Sequence, residues 1–428
     1  MAITNEQQTA FVEQFRPASE NGSTLAPSVR KAAEEALAGL SLPNRKTEAW
    51  KYTQLKSLPT RHLSFGQTAS PKLEDAWKIE GLEADTLVFV NGVYQPEQSS
   101  LSLNGDALTV GSIKGASGKI KEVFEAHVAK VAESDADIFT ALNTAYAQHG
   151  VLIHLAKNQI ANHPVHIIHI GAGDQDLGVQ TRNLFVLDAN AEAKVVESFH
   201  TVEGTQQFVN EVTEISVGEN AKLEYIKLQQ EGDQASRVDR TEVHQDTYSK
   251  FSIFTFTFNG DIVRNNLFIH LNGEHTETHL MGAYLLSGTQ HVDNFTQVHH
   301  KKPNCYSNEL YKGIMHEQST GVFNGKIHVY QDAQKTNAFQ SNRNILLTDS
   351  ANVFTKPQLE IYADDVKCSH GATTGRLDEE ALFYLKARGI KEYDARMMLI
   401  HAFVMEVAEQ ISLEAVRDHL EQLVNDRY

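Results

Sequence analysis

Cysteine is nearly absent: Cys305 and Cys368 are the two thiols in 428 residues. Such sparse use predicts a reducing compartment and excludes a disulfide framework. Two thiols also exclude a four-thiolate cluster held by one chain. Positive charge is short as well. Lys and Arg number 38 against 55 Asp and Glu, a formal net charge of −17. That balance argues against nucleic acid, whose binders carry clustered Lys and Arg, and against anionic membrane surfaces. An acidic surface mainly keeps a protein soluble. No apolar run approaches the roughly 18 residues that a membrane helix needs. The first ten residues lack the basic and apolar regions of a secretory leader and the Arg-rich character of a transit peptide. The expectation is a soluble, cytoplasmic protein.

Standard site motifs are missing too. There is no CxxC and no HExxH. A glycine-rich stretch, Gly111 to Lys119, fails as a phosphate loop. Ala116 stands where the second glycine belongs, and Ile120 follows the lysine. It reads as a plain turn, so any nucleotide energy must come from a partner.

What is present falls into three parts. Residues 1–150 read as a mixed, mostly helical region. Pro27 suits a first helical position, and Val29, Ala33, Ala36, Leu37 and Leu40 follow at helical spacing. Lys119 to Ala132 and Asp135 to Ala147 read as two further helices. Thr86 to Val90 reads as a strand that turns at Asn91-Gly92. Trp50 and Tyr52 read as packing anchors. Residues 151–366 change character to short alternating strands. A repeat runs through them: Asn190-Ala-Glu-Ala-Lys-Val-Val-Glu197 aligns with Asn220-Ala-Lys-Leu-Glu-Tyr-Ile-Lys227. Strands without crossover helices suit a sandwich, a barrel or a β-helix, and this period favours the β-helix. Phe254, Phe256 and Phe258 share one strand face and are expected inside it. Residues 367–428 read as a C-terminal helical domain. Asp378 is its first N-cap and Gly389 its first stop, and Ser412 reads as the cap of the last helix.

The candidate site lies at the second junction. Cys368 and His370 stand two apart in Asp364-Asp-Val-Lys-Cys-Ser-His-Gly371, so an extended chain puts both on one face. A thiol and an imidazole on one face can bind a metal or form a thiolate–imidazolium pair. The plain alternative is a small buried cysteine beside an ordinary histidine. Of the 20 histidines, 15 lie between His149 and His328. His275 with His279, and His299-His300 near Cys305, are second-tier candidates for iron or copper.

The segment ADDVKCSHGATTG, followed by DEEALFYLKARGI, closely resembles the SufB/SufD family of the SUF iron–sulfur cluster assembly system. NRKTEAWKY near residue 50, FVNG at Phe89 to Gly92 and KTNAFQSNRNILL at Lys335 to Leu347 are weaker matches to the same family. Gly371 after His370, where SufB-like members carry His-Glu, favours the SufD-like branch. The resemblance implies a right-handed parallel β-helix flanked by N-terminal and C-terminal helical parts, and a scaffold with no catalysis of its own. It implies pairing with a SufB-like paralogue through the β-helices and binding of a SufC-like ATPase by the C-terminal helices. It puts the metal-ligand role on His370, with Cys368 as helper. The implied cofactor is a transient iron–sulfur cluster at the heterodimer interface, none being held by the isolated chain. Two rival readings stand beside it. One is a β-helix polysaccharide lyase or hydrolase using Asp364 and Asp365, although strand neighbours point to opposite faces. The other is a purely structural homodimer without metal.

Overall fold

Asn190 and Asn220 both bend the chain through left-handed backbone, with φ of 61° and 56°. Asparagine tolerates that region better than most residues. The Asn220 side-chain amide donates to Asn190 Oδ1 at 2.8 Å, and that of Asn190 to Asn158 Oδ1 at 2.7 Å. Positive φ recurs at equivalent corners at Tyr248, His275, Asn304 and Lys335. Backbone bonds tie the stack together: Asn190 N–H donates to the Glu219 carbonyl and Asn220 N–H to that of Thr247. These corners mark the coils of a parallel β-helix. Strand Glu192–Thr201 pairs with strand Lys222–Gln230 so that Glu192 faces Lys222, the offset that the repeat foretold.

The computed structural model describes residues 4–17, 25–69, 71–101 and 108–427. Residues 1–3 of the N-terminal stretch read above lie outside them. Two ten-stranded sheets carry the solenoid, with alternate strands of the chain going to alternate sheets. From Val151–Leu155 to Lys367–Gly375 every pairing within a sheet is parallel. Strand structure therefore continues beyond residue 366. The N-terminal region adds Leu108–Ser112 and Asp85–Val90 to the two sheets, the latter turning at Asn91-Gly92 as read. Gly111, read as part of a turn, lies in the first of these strands.

Seven helices flank the sheets: α1 Asn5–Glu13, α2 Pro27–Leu37, α3 Gly118–His127, α4 Ile138–Tyr146, α5 Glu379–Ala387, α6 Glu392–Ala408 and α7 Glu414–Arg427 among the described residues. Helix α3 stops short of the expected Ala132 because a buried carboxylate takes over the backbone donors. Glu214 accepts hydrogen bonds from the N–H groups of Ala129, Lys130, Val131 and Ala132 at 2.7–3.1 Å. Arg182 Nη2 donates to the same carboxylate at 2.7 Å, and both side chains are wholly buried. Trp50 is buried, with the Arg264 guanidinium 4.5 Å over its ring, and Tyr52 stacks on Phe354 at 4.4 Å.

The lumen holds one apolar core, including Val195, Leu223, Tyr225, Phe251 and Ile253. Phe254, Phe256 and Phe258 are buried but belong to a different core. They point outward from their sheet and are covered by Ile400, Val404, Val416 and Leu420 of α6 and α7. The expectation that they lie inside the solenoid is corrected here. The strand's inward face carries Phe251 and Ile253, then Thr255 and Thr257. Alternation identifies two faces but cannot tell a lumen from a helix-covered flank, because both exclude water. Ser412 is likewise not the expected cap: its hydroxyl donates to Glu224 on the solenoid flank at 2.8 Å. Asp378 does cap α5, accepting from Glu380 and Ala381 N–H, and Gly389 ends the segment at φ 89°.

Candidate functional site

Among the described residues, none forms a lid over the last coil of the solenoid. Burial falls strand by strand, from Tyr306–Met315, almost wholly buried, to Lys367–Gly375, almost wholly exposed. Strands Asn352–Ile361 and Lys367–Gly375 are the outer edges of their sheets, each with one backbone edge unpaired. Cys368 and His370 sit on the last of them. Cys368 faces Ala338 and packs against the lumen core, and His370, two residues on, shares that side. His370 is exposed, whereas Cys368 is half-buried. Burial pushes the Cys368 thiol up from its ordinary value, so at neutral pH it is the protonated thiol.

Register stacks a file of polar residues beneath His370. Leu280 faces Glu309, Glu309 faces Gln340, and Gln340 faces His370. Gln340 Nε2 donates to Glu309 Oε2 at 2.6 Å, and Thr296 bonds the other carboxyl oxygen at 2.6 Å. Burial pushes Glu309 up to about 7. No motif announces these residues in the sequence, because they lie 29 to 31 positions apart. Only the coil period brings them together.

The second-tier histidines do not converge. His275 occupies a corner and stacks on Tyr248 at 4.8 Å, while His279 is on a strand and bonds Glu277. His300 is buried against Ser307, whereas its neighbour His299 joins an outer column with His270 and His328. Cys305 is fully buried, and its thiol donates to the Gly273 carbonyl at 3.3 Å. Asp364 and Asp365 stand exposed on a corner, where Asp365 is held by its backbone to Gln334 and Lys335.

A cluster that sequence reasoning missed lies near the other end of the lumen. His169, Glu197 and Glu211 present three ligand atoms within 4.8 Å of one another. They come from three strands, and no spacing rule would link them. Burial and the charge of Glu197 push Glu211 above its ordinary value.

Helix α5 buries no residue. Phe383 and Tyr384 are 74% and 57% exposed, and Tyr393 and Met398 of α6 are exposed as well. No helix among the described residues is long and apolar enough to cross a membrane.

The architecture is an open-ended parallel β-helix with a thiol and an imidazole on its edge strand, flanked by helices with exposed aromatic residues. The chain belongs to the SufB/SufD family of iron–sulfur cluster assembly proteins. The family model for the SufBD core domain of SUF system FeS cluster assembly matches residues 129–403, and that for the SufBD N-terminal region matches residues 1–167. The chain is 33% identical over 410 residues to the iron–sulfur cluster assembly protein SufD of Escherichia coli, covering 95% of this chain and 94% of that one. It is 32% identical over 411 residues to an iron–sulfur cluster assembly SufBD family protein of Synechocystis, covering 93% and 90%. SufD of Bacillus subtilis is 26% identical over 288 residues, covering 67% and 65%.

Proposed function

We propose that this protein is the SufD-like scaffold subunit of a SufB–SufC–SufD-type complex, and that it acts without catalysis of its own. The observation that carries the reading is the uncapped coil with Cys368 and His370 on its edge strand. Unpaired strand edges are templates for another chain's strands. A SufB-like paralogue adding its own β-helix there would cover the mouth and complete the coordination of a nascent cluster. The cluster is cargo, and a scaffold must release it. Imidazole from His370 is the weaker, protonatable ligand and suits release better than a closed thiolate cage. Cys368, a thiol when the chain is alone, becomes a strong iron ligand only when the incoming metal displaces its proton, which is released to solvent. The same free edge suits a second copy of this chain when the paralogue is missing.

The SufC-like ATPase docks, in this reading, on the exposed aromatic residues of α5 and α6. Deleting residues 378–428 would not test this, because it would strip the cover from Phe254 and Phe256. Point changes at Phe383 and Tyr384 leave that cover in place. Replacing both by Asp should abolish co-purification with the ATPase without lowering the melting temperature. Retained capture would remove α5 from the interface. Co-expression with SufB-like and SufC-like chains, with iron and sulfide counted, tests the whole proposal. His370→Ala should preserve pairing yet abolish cluster formation, and Cys368→Ala should do so less completely. Full assembly by His370→Ala would overturn the ligand role.

A further inference from the structure

The lumen cluster around His169 is richer in negative charge than its neighbours can balance. Glu197, Glu211, Glu231 and Asp239 are all buried there, and two cations face them. Lys227 Nζ lies 2.7 Å from Asp239 and 3.4 Å from Glu211. Arg237 Nη2 lies 2.7 Å from Glu231, with its Nη1 3.6 Å from Glu211. That is four carboxylates against two cationic side chains. Uncompensated buried charge is costly enough that a protein normally pairs it, neutralises it or binds a metal.

The surroundings favour the metal. A cavity of about 20 Å³, room for one water-sized occupant, is walled by His169, His200, Glu211, Glu231 and Arg237. One of these walls carries an unpartnered polar atom: Glu231 Oε2 has no hydrogen-bond partner among the described residues, and its side chain is at least nine-tenths buried. The ligand candidates are held in position. Glu197 takes a hydrogen bond from the Tyr225 hydroxyl, Glu211 takes one from Thr181 at 3.0 Å, and the His169 ring stacks on Phe199 at 4.8 Å. His169 Nε2 lies 2.8 Å from Glu197 Oε1, a contact that a shared ion would replace.

We propose that His169, Glu197 and Glu211 form a binding site for one divalent transition-metal ion inside the solenoid, with the cavity admitting a bound water against Glu231. One imidazole and two carboxylates suit Fe²⁺, Mn²⁺ or Zn²⁺ better than the oxygen-only ions Mg²⁺ and Ca²⁺. A dication would match the excess of two carboxylates over cationic side chains. The site is separate from the edge strand: six strands lie between those of His169 and His370 in the same sheet. At about 4.8 Å per strand step that is roughly 34 Å.

The experiment uses the isolated full chain with Cys368→Ser and His370→Ala, so that the edge pair cannot contribute. Its outcome is therefore independent of the scaffold role. The chelated protein is equilibrated with Zn²⁺, Mn²⁺ or anaerobic Fe²⁺, and in parallel with Mg²⁺, passed through gel filtration and analysed for metal, and its melting temperature is recorded. About one equivalent should be retained, with a raised melting temperature, by at least one of the three ions. His169→Gln and Glu211→Gln should each weaken binding by more than about tenfold, the lower end for groups in a metal shell. His169 is partly exposed, so its variant decides the matter if Glu211→Gln does not fold. Absence of retained metal with an unchanged melting temperature would overturn the site. So would equal binding by the His169→Gln variant, or equally tight binding of Mg²⁺.

Discussion

Glu309 offers the sharpest test of how the lumen is organised. Its carboxyl is wholly buried, its partners Thr296 and Gln340 are neutral, and burial raises it to about 7 from an ordinary 4.5. The sign follows from linkage. Below about pH 4.5 both the folded and unfolded chains hold this proton, so its contribution to stability is fully present. As pH rises the unfolded chain releases the proton first, and the folded state loses ground until Glu309 itself ionises near 7. At 1.36 kcal/mol per pH unit, the loss approaches about 3 kcal/mol across this window. Glu309→Gln fixes the neutral form at almost unchanged volume, and its amide can still bond Thr296 and Gln340. Parent and variant are unfolded in urea at several pH values, and the difference between them is followed so that other titrating groups cancel. The two should be nearly equal near pH 4.5. The variant should gain steadily, to an advantage of about 3 kcal/mol at pH 8. A variant less stable than the parent at pH 8, or a gap independent of pH, would refute the reasoning and imply a compensating cation beside Glu309.

Other consequences are equally direct. Glu214→Ala should cost about 3–5 kcal/mol, because it strands the buried Arg182 guanidinium along with four backbone donors; thermal unfolding checks this. Phe256→Ala should cost about 3–5 kcal/mol by opening a cavity under α6 and α7, and should raise protease cleavage in those helices before the solenoid is cut. Alkylation of Cys368 in the isolated chain should stay slow at neutral pH and accelerate only above the ordinary thiol range, while Cys305 stays unreactive in the native state. A Cys368 that alkylates quickly at pH 7 would contradict its packing against the lumen core.

Periodic features were readable from the residues. The repeat beginning at Asn190 and Asn220 carries the coil length, because a left-handed corner recurs once per coil and these two asparagines occupy successive corners. Asp378 and Gly389 mark α5 because capping is a local matter. What failed was decided by distant chain. Phe254, Phe256 and Phe258 look like lumen because aromatic spacing carries no sign for inward or outward. Their cover, α6 and α7, arrives some 150 residues later. The polar half of the lumen was hidden for a related reason. Glu197, Glu211 and Lys227 look like an ordinary solvated strand face until the closing coil removes the water. Cys368 and His370 share a side, as read, because two-residue spacing survives in a strand. Their exposure to the open mouth could not be read, since it depends on where the stack of coils stops.

That stopping point has a thermodynamic meaning. Each coil is held by its neighbours, so a stacked solenoid behaves as a one-dimensional chain of nearest-neighbour terms. The terminal coil has a neighbour on one side alone, and the fraying penalty is smallest there. Whatever binds the edge supplies the missing neighbour, and its free concentration then sets how often the last strand is ordered. The order of the strand that carries Cys368 and His370 thereby becomes a readout of edge occupancy. A lone chain frays first at this strand. A covered edge holds the strand, and with it the spacing of the two side chains.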